Sequence, residues 1–230
     1  MNTDISSLEK IIKYKFKDIN LLKKALTHPS YSGEMGLKRY ESNQRLEFLG
    51  DAVLELVISE YLYKTHSETE EGELTRMRSS LVFEAALDVC ARDINLGDFI
   101  LLGKGENQCG GREKPSILSD TYEALIGAIF LDGGIDSAKS FIYEFLINDI
   151  DELTLLHDGK SIIQEYVQRF EGTSLRYETT DIESPDHMKK FRSELYINDK
   201  LITVGNGHSK KSAEQDAAIL AIKKLQIGKN

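Results

Sequence analysis

The sequence predicts an all-α N-terminal domain over residues 1–153 and a smaller α+β domain, with the order α-β-β-β-α, over residues 154–230. Apolar residues recur at helical spacing through the first region, whereas the alternation typical of strands begins only in the second. The charge balance also changes along the chain. Residues 158–230 contain 12 Lys and Arg against 11 Asp and Glu, and the residues before them contain 17 against 27. Such a difference indicates two domains with different functions.

Helical patterns fill the N-terminal domain. Apolar residues three and four positions apart occur in the segments 21–26, 46–58 and 125–130. Glycine and proline residues interrupt these patterns and predict about eight or nine helices. The interruptions are His28-Pro29, Gly33, Gly72, Gly97, the segment 103–115 and Asp132-Gly133-Gly134.

The C-terminal domain is predicted to begin with a polar loop at 153–158, followed by a helix over 160–170. Alternating polar and apolar side chains then predict three strands, over 175–179, 191–197 and 201–207. An alanine-rich segment predicts a last helix over 212–225. The expected result is a small sheet with two helices on one face.

The composition is that of an ordinary globular protein, with 40% hydrophobic and 29% charged residues. The two cysteines, Cys90 and Cys109, form neither a disulfide framework nor a CxxC metal pair, which favours a reducing compartment. Charged residues break up the N-terminus, so no signal peptide is expected, and no apolar run approaches the ~20 residues that span a membrane. We therefore expect a cytoplasmic protein with no membrane partner.

Two pairs of acidic residues lie at helical spacing within apolar segments. Glu47 and Asp51 are four residues apart, and Asp120 and Glu123 are three apart, so each pair projects from one face of its helix. Two interpretations are open. Either pair could simply face solvent, as most acidic pairs do, or the two helices could converge to bind hard cations. Mg²⁺ prefers oxygen ligands, which suits carboxylates without nearby His or Cys.

Residues 43–54, Asn-Gln-Arg-Leu-Glu-Phe-Leu-Gly-Asp-Ala-Val-Leu, closely resemble the signature of ribonuclease III, a bacterial family of double-stranded-RNA endonucleases. The resemblance continues at 26–31, 70–78 and 116–134 and covers nearly the whole chain. It implies an all-α endonuclease domain that hydrolyses phosphodiesters with Mg²⁺, for which Mn²⁺ can substitute, and leaves 5′-phosphate and 3′-hydroxyl ends. It also implies a role in processing ribosomal or messenger RNA precursors.

The resemblance further implies roles for individual residues. In that family the catalytic, metal-binding carboxylates occupy the positions held here by Glu47, Asp51, Asp120 and Glu123. Glu71 matches a further acidic position, where we expect either an RNA contact or a contact with the residues that hold the metal. Gln44 stands where the family usually has glutamate. Its amide keeps an oxygen acceptor but loses the negative charge, so an RNA contact suits it better than a role as an anionic metal ligand.

Phe48, beside the first acidic pair, has two interpretations. An aromatic residue in an apolar helix usually belongs to the core. In the resembled family the aromatic residue at this position projects into a socket on a second subunit. The resemblance therefore implies a homodimer with Phe48 in its interface and two active sites.

The C-terminal domain resembles the double-stranded-RNA-binding domain, which reads A-form RNA by its shape, its minor-groove hydroxyls and its phosphates. The resemblance implies RNA contacts from one face of the first helix, from the first hairpin loop and from the start of the last helix. The candidate residues are Ser161, Gln164, Glu165, Gln168, His187, Lys189, Lys210 and Lys211. A lysine pair at a helix start is often only solvated surface, but helix N-termini also suit phosphate binding.

Together these patterns favour a Mg²⁺-dependent endonuclease acting on double-stranded RNA. The alternative is a non-catalytic double-stranded-RNA-binding scaffold that keeps the fold, a question that Gln44 raises. The presence of all four carboxylates favours the enzyme. A helical domain that binds only other proteins would leave the RNA-binding pattern unexplained.

Overall fold

The computed structural model of the chain describes residues 5–170, 172–182, 190–207 and 209–227, with side chains described for all of these except 149–158. The chain divides into two compact units, Met1–Ile150 and Asp151–Asn230. Among the described residues, no helix has both the length and the apolar composition of a membrane span.

The first unit is helical, as predicted. Short 3₁₀ turns connect its helices, and its described residues contain no β-structure beyond an isolated bridge between Thr27 and Leu101. The helices are α1 (Ile5–Ile11), α2 (Ile19–Ala25), α3 (Pro29–Glu34), α4 (Gln44–Thr65), α5 (Glu71–Ser79), α6 (Glu84–Asp93), α7 (Lys104–Gln108) and α8 (Pro115–Phe145).

Two of the predicted helix breakers act in the expected places, whereas Gly33 lies inside α3, Gly72 lies inside α5, and α7 forms within the segment 103–115 that was predicted as a loop. His28 precedes α3 and its Nδ1 accepts a hydrogen bond from the Ser30 backbone N–H at 3.2 Å, while Pro29 occupies the first helical position, where proline loses no hydrogen bond. Gly134 has a φ of 79°, which interrupts the helical path within α8. Only glycine adopts such a conformation without strain.

The core of the first unit is centred on α8. Nearly every residue of this helix from Ile117 to Ile129 is buried, so it is surrounded by other helices rather than lying on the surface. Its most extensive partner is α4, which contributes the buried residues Leu46, Val53, Leu54, Val57, Ile58 and Leu62. The two helices that carry the acidic pairs are therefore the two that pack together most extensively.

The second unit has the predicted α-β-β-β-α order. Its elements are α9 (Ile150–Gln168), β1 (Leu175–Ile182), β2 (Lys190–Ile197), β3 (Lys200–Gly207) and α10 (Lys210–Leu225). The strands form an antiparallel sheet in the order β1-β2-β3. Both helices cover the same face of the sheet, because Ile163 of α9, Leu195 of β2 and Ala218 of α10 share one buried cluster.

The predicted polar loop at 153–158 is wrong, because α9 continues through this segment from Ile150. The segment contains no proline, and its leucine residues favour a helix. Polar residues are as compatible with a helix as with a loop, so polarity alone did not mark a break. The division into units falls after Ile150, against the expected boundary after residue 153.

Candidate metal centre and nucleic-acid surface

The helices α4 and α8 cross with their backbones almost in contact. A Cβ atom at Gly50 of α4 would overlap the backbone carbonyl of Glu123, and a Cβ atom at Gly127 of α8 would overlap that of Leu46. Both positions therefore require glycine at this separation of the helices. Because Glu47 lies one turn from Gly50, and Glu123 lies one turn from Gly127, the crossing brings the two acidic pairs to one place.

Three carboxylates meet at this crossing. One oxygen from each of Glu47, Asp120 and Glu123 lies within 4.8 Å of the others, and all three residues are half-buried. We call these three residues the carboxylate cluster. Asp51 is exposed and lies outside the cluster, although its charge acts on both Glu47 and Glu123. The structure thus brings together three of the four predicted ligands and leaves Asp51 at the margin.

Burial and like charges change the protonation of the cluster. Burial, followed by the charges of Asp51, Asp120 and Glu47, raises the pKa of Glu123 to about 8. Burial, followed by the charges of Asp120 and Asp51, raises the pKa of Glu47 above its ordinary value. The pKa of Asp120 is also raised, by burial and then by the charge of Glu84.

No described cation balances the cluster. Glu47, Asp120 and Glu123 form no salt bridge with any other residue that the structure describes. Their donor atoms are all carboxylate oxygens, the ligand type that hard divalent cations prefer. A site of concentrated negative charge with raised pKa values fits a metal ion, which would neutralise the repulsion.

Gln44 and Glu71 lie outside the carboxylate cluster. Gln44 is the first residue of α4 and is exposed, one turn before Glu47. Glu71 is exposed at the start of α5, where its carboxylate accepts a hydrogen bond from the Thr75 hydroxyl at 3.1 Å. Both side chains are open to solvent, as residues that contact a macromolecule must be.

Phe48 is not a core residue, because 79% of its surface is exposed. Leu56 and Tyr63 of the same helix are also exposed, and together with Phe48 they form what we call the α4 apolar stripe. Monomeric proteins seldom leave large apolar side chains grouped in this way on their surface. The interpretation of Phe48 as a core residue is therefore wrong.

The first helix of the second unit separates its polar and apolar faces. Ile163 and Val167 are buried against the sheet. The four residues predicted to contact RNA are all exposed on α9, and they are spaced three and four positions apart so that they share one face; they are Ser161, Gln164, Glu165 and Gln168.

Lys210 and Lys211 are exposed in the first turn of α10. Ser209 caps this helix and its hydroxyl accepts a hydrogen bond from the Ser212 backbone N–H at 3.1 Å. The first turn contains two cations and no acidic residue. This arrangement is unfavourable for the helix, whose N-terminus is already positive, but favourable for binding an anion.

Other predictions fall outside what the structure describes, and some contributions were not predicted. His187 and Lys189 lie outside the described residues. The sequence analysis did not predict the close backbone contact at Gly50 and Gly127. The presence of a glycine inside each of two apolar helices was the signal that could have indicated it. Glu84 beside Asp120 was also not predicted, because nothing in the sequence links these distant positions.

The comparisons with known proteins agree with this architecture. The model of the family described as Ribonuclease-III-like matches residues 18–150, and that of the double-stranded RNA binding motif matches residues 160–225. Ribonuclease 3 of Caldanaerobacter subterraneus subsp. tengcongensis is 46% identical over 226 residues, which cover 97% of this chain and 99% of that protein. Ribonuclease 3 of Bacillus velezensis is 42% identical over 217 residues, covering 94% and 87%.

A solved structure shows the same likeness for the helical unit. The nuclease domain of ribonuclease III from Campylobacter jejuni, described for flexibility in a region involved in dimer formation, is 47% identical with a TM-score of 0.59. The match covers 63% of this chain and 97% of the Campylobacter jejuni chain. The family model matches more than half of this chain, and the relatives match nearly its full length. The chain therefore belongs to the ribonuclease III family.

Proposed function

We propose that this chain is an endonuclease that hydrolyses the phosphodiester bonds of double-stranded RNA and leaves 5′-phosphate and 3′-hydroxyl ends. The observation that carries the proposal is the carboxylate cluster at the α4–α8 crossing, in a chain that also contains a double-stranded-RNA-binding motif. A non-catalytic scaffold would have no use for three mutually repelling, half-buried carboxylates. We therefore favour the enzyme over the scaffold.

The cluster is the proposed catalytic centre. Glu47, Asp120 and Glu123, with Asp51 at the margin, would hold Mg²⁺ directly or through water, and Mn²⁺ would substitute for it. A bound divalent cation would lower the pKa of an attacking water and stabilise negative charge on the attacking and leaving oxygens. The half-buried carboxylates would hold the cation in place, and no nucleophilic side chain is required.

The second unit is proposed to bind the duplex. The exposed polar face of α9 would contact 2′-hydroxyls in the minor groove, and Lys210 and Lys211 would contact phosphates. His187 and Lys189 would extend the footprint into the next groove. In the first unit, Gln44 and Glu71 would contact RNA near the cluster.

The assembly is proposed to be a homodimer. The α4 apolar stripe, with Phe48 as its most exposed member, would be covered by a second copy of the chain. A dimer would place two catalytic centres on one duplex. The proposed site of action is the cytoplasm, with precursors of ribosomal and messenger RNA as substrates.

Incubation of the purified chain with a long perfect RNA duplex tests the proposal. We expect short products with 5′-phosphate ends in Mg²⁺ or Mn²⁺, and intact duplex in EDTA. A parallel binding measurement in Ca²⁺ separates the two alternatives, since the scaffold would bind the duplex without cutting it under any of these conditions. Binding in Ca²⁺ together with no cleavage in Mg²⁺ or Mn²⁺ would thus contradict the enzyme.

A further inference from the structure

An ion pair joins the two helices that carry the proposed RNA contacts of the second unit. The Nζ of Lys160, on α9, lies 2.5 Å from Oε2 of Glu214, on α10. Lys160 is one turn before Gln164 on α9. Glu214 is one turn after Lys210 on α10. The pair therefore spans the gap between the proposed minor-groove face and the proposed phosphate-binding turn.

Both partners are held in place by the sheet. The Thr179 hydroxyl of β1 donates to Oε1 of Glu214 at 3.2 Å and lies 2.9 Å from the hydroxyl of Ser193 on β2, which is fully buried. On the other side, Nζ of Lys160 lies 5.0 Å from the centroid of the Tyr177 ring. Four elements of the second unit thus converge on this one pair.

The pair differs from an ordinary surface ion pair. The side chains of Lys160 and Glu214 are 40% and 25% exposed, much like those of Arg192 and Glu194 in the same unit, but each partner also makes a second contact, Glu214 with Thr179 and Lys160 with the Tyr177 ring. The fold itself rests on the apolar cluster around Leu195 and Ala218, to which neither Lys160 nor Glu214 belongs. A half-exposed ion pair contributes little to stability. Its fixed geometry therefore suggests a role in placing the two helices.

We infer that Lys160 and Glu214 are positioning residues that set the spacing between the RNA contacts of α9 and those of α10. With this spacing, both sets engage one duplex at the same time, and the domain does not have to reorganise on binding. The inference rests on the RNA contacts proposed above. It concerns this pair alone and requires neither residue to touch RNA.

Replacement of Glu214 distinguishes positioning from simple charge. Glu214→Ala removes a negative charge, so charge alone predicts tighter binding of an anionic duplex. Positioning predicts the opposite. We expect about 10-fold weaker binding by the full chain, and a dependence of log K on log salt that is shallower by roughly one unit because one phosphate contact is lost. Lys160→Met should behave like Glu214→Ala, and Lys160→Arg, which can still pair with Glu214, should retain the parent affinity and slope.

Two control variants match these charge changes elsewhere in the unit. Asp199→Asn removes an exposed carboxylate at a position with a φ of 60°, which asparagine tolerates. Lys224→Met removes a cation from the last turn of α10. We expect both controls to keep the parent salt slope. Thermal melting of each variant reports whether it is folded.

Several outcomes would overturn the inference. Binding by Glu214→Ala that is as tight as that of the parent, or tighter, would do so. A loss of slope in Lys160→Met but not in Glu214→Ala would make Lys160 a direct phosphate contact instead. If Glu214→Ala does not fold, a folded Lys160→Met with the parent slope would decide against positioning. Failure of the unmodified chain to bind duplex would contradict the proposed function rather than the role of this ion pair. The variants should still cleave at saturating protein concentration, since the carboxylate cluster lies in the other unit.

Discussion

Glu123 carries the strongest electrostatic signature of the proposed catalytic centre. It lies on α8, one turn from Gly127, where the backbones of α8 and α4 approach closely and bring Glu123 near Glu47. Its pKa is raised to about 8 because burial and three neighbouring carboxylates all disfavour its charged form. A carboxyl group whose pKa is raised so strongly by its surroundings is typical of a functional site.

Glu123→Gln should separate the catalytic from the structural role of this residue. The amide has nearly the same shape but cannot provide an anionic ligand. We expect the cleavage rate to fall by at least about 100-fold, since even the outer residues around metal ions typically cost 10- to 100-fold. Duplex binding should persist. Near-parental cleavage by this variant in Mg²⁺ would exclude Glu123 from the centre.

The same variant should change how stability depends on pH. In the folded metal-free chain Glu123 keeps its proton up to about pH 8, whereas in the unfolded chain it ionises at its ordinary pKa of 4.5. The folded state therefore holds more protons across this window, so this residue lowers stability as the pH rises. In EDTA we expect the Tm of the parent to fall relative to that of Glu123→Gln between pH 5 and 8. A constant difference between the two Tm values would contradict the raised pKa.

At the scale of elements, the α4–α8 crossing determines whether the carboxylates meet. Periodicity predicts each helix and the face of each acidic pair, but not the distance between the helices. That distance depends on glycine at Gly50 and Gly127, where the backbones touch. The distance between the two acidic pairs is thus set by two glycines, which have no functional groups of their own.

Gly127→Ala should separate the two helices. The added methyl group would overlap the backbone carbonyl of Leu46, which cannot rotate away as a side chain could. We expect a loss of about 1–3 kcal/mol in the free energy of unfolding, as for other overpacked cores, together with reduced cleavage. Gly72→Ala is the matched control. It has nothing within 4 Å of its Cβ position and lies in α5, so it should stabilise the chain by up to about 1 kcal/mol. Parental stability and cleavage in Gly127→Ala would contradict the requirement for glycine.

The start of α10 should show opposite effects on binding and on stability. Replacing both Lys210 and Lys211 with alanine should weaken duplex binding and reduce the salt slope by roughly one unit per lost phosphate contact. The same change removes two cations from the positive end of a helix, so the Tm should rise slightly. Alanine at Lys223 and Lys224, at the other end of α10, makes the same change in charge and should leave the slope unaltered. An unchanged slope in the first variant would identify that lysine pair as ordinary solvated surface.

For the whole molecule, the α4 apolar stripe indicates self-association. Phe48 is 79% exposed, so its removal costs the isolated subunit little. In a symmetric dimer, Phe48 of each subunit would be buried in the interface, so one substitution removes two contacts.

Phe48→Ala should therefore weaken the dimer without weakening the subunit. We expect the dissociation constant measured by sedimentation equilibrium to rise at least about 10-fold, as for a central aromatic residue in an interface. Phe170→Ala, which removes an exposed aromatic residue from the second unit, is the control and should leave the dimer intact. Parental self-association of Phe48→Ala would place the interface elsewhere.

The sequence by itself determined the features that depend on residues close together in the chain. Helical spacing predicted α4 and α8, alternation predicted β1 to β3, and the offsets of Glu47 from Asp51 and of Asp120 from Glu123 predicted one face for each pair. The signature around Phe48 and the RNA-binding pattern indicated the family. These features were available because the geometry of helices and strands repeats over a few residues.

Only the tertiary structure decided which distant residues meet. It brought Glu123 to Glu47 while leaving Asp51 at the margin, exposed Phe48, and joined Lys160 to Glu214. It also extended α9 through the segment predicted as a loop. The physical reason is that these outcomes depend on how closely helices cross and on which elements cover one another. Such contacts between residues far apart in sequence have no fixed spacing that a local pattern could reveal.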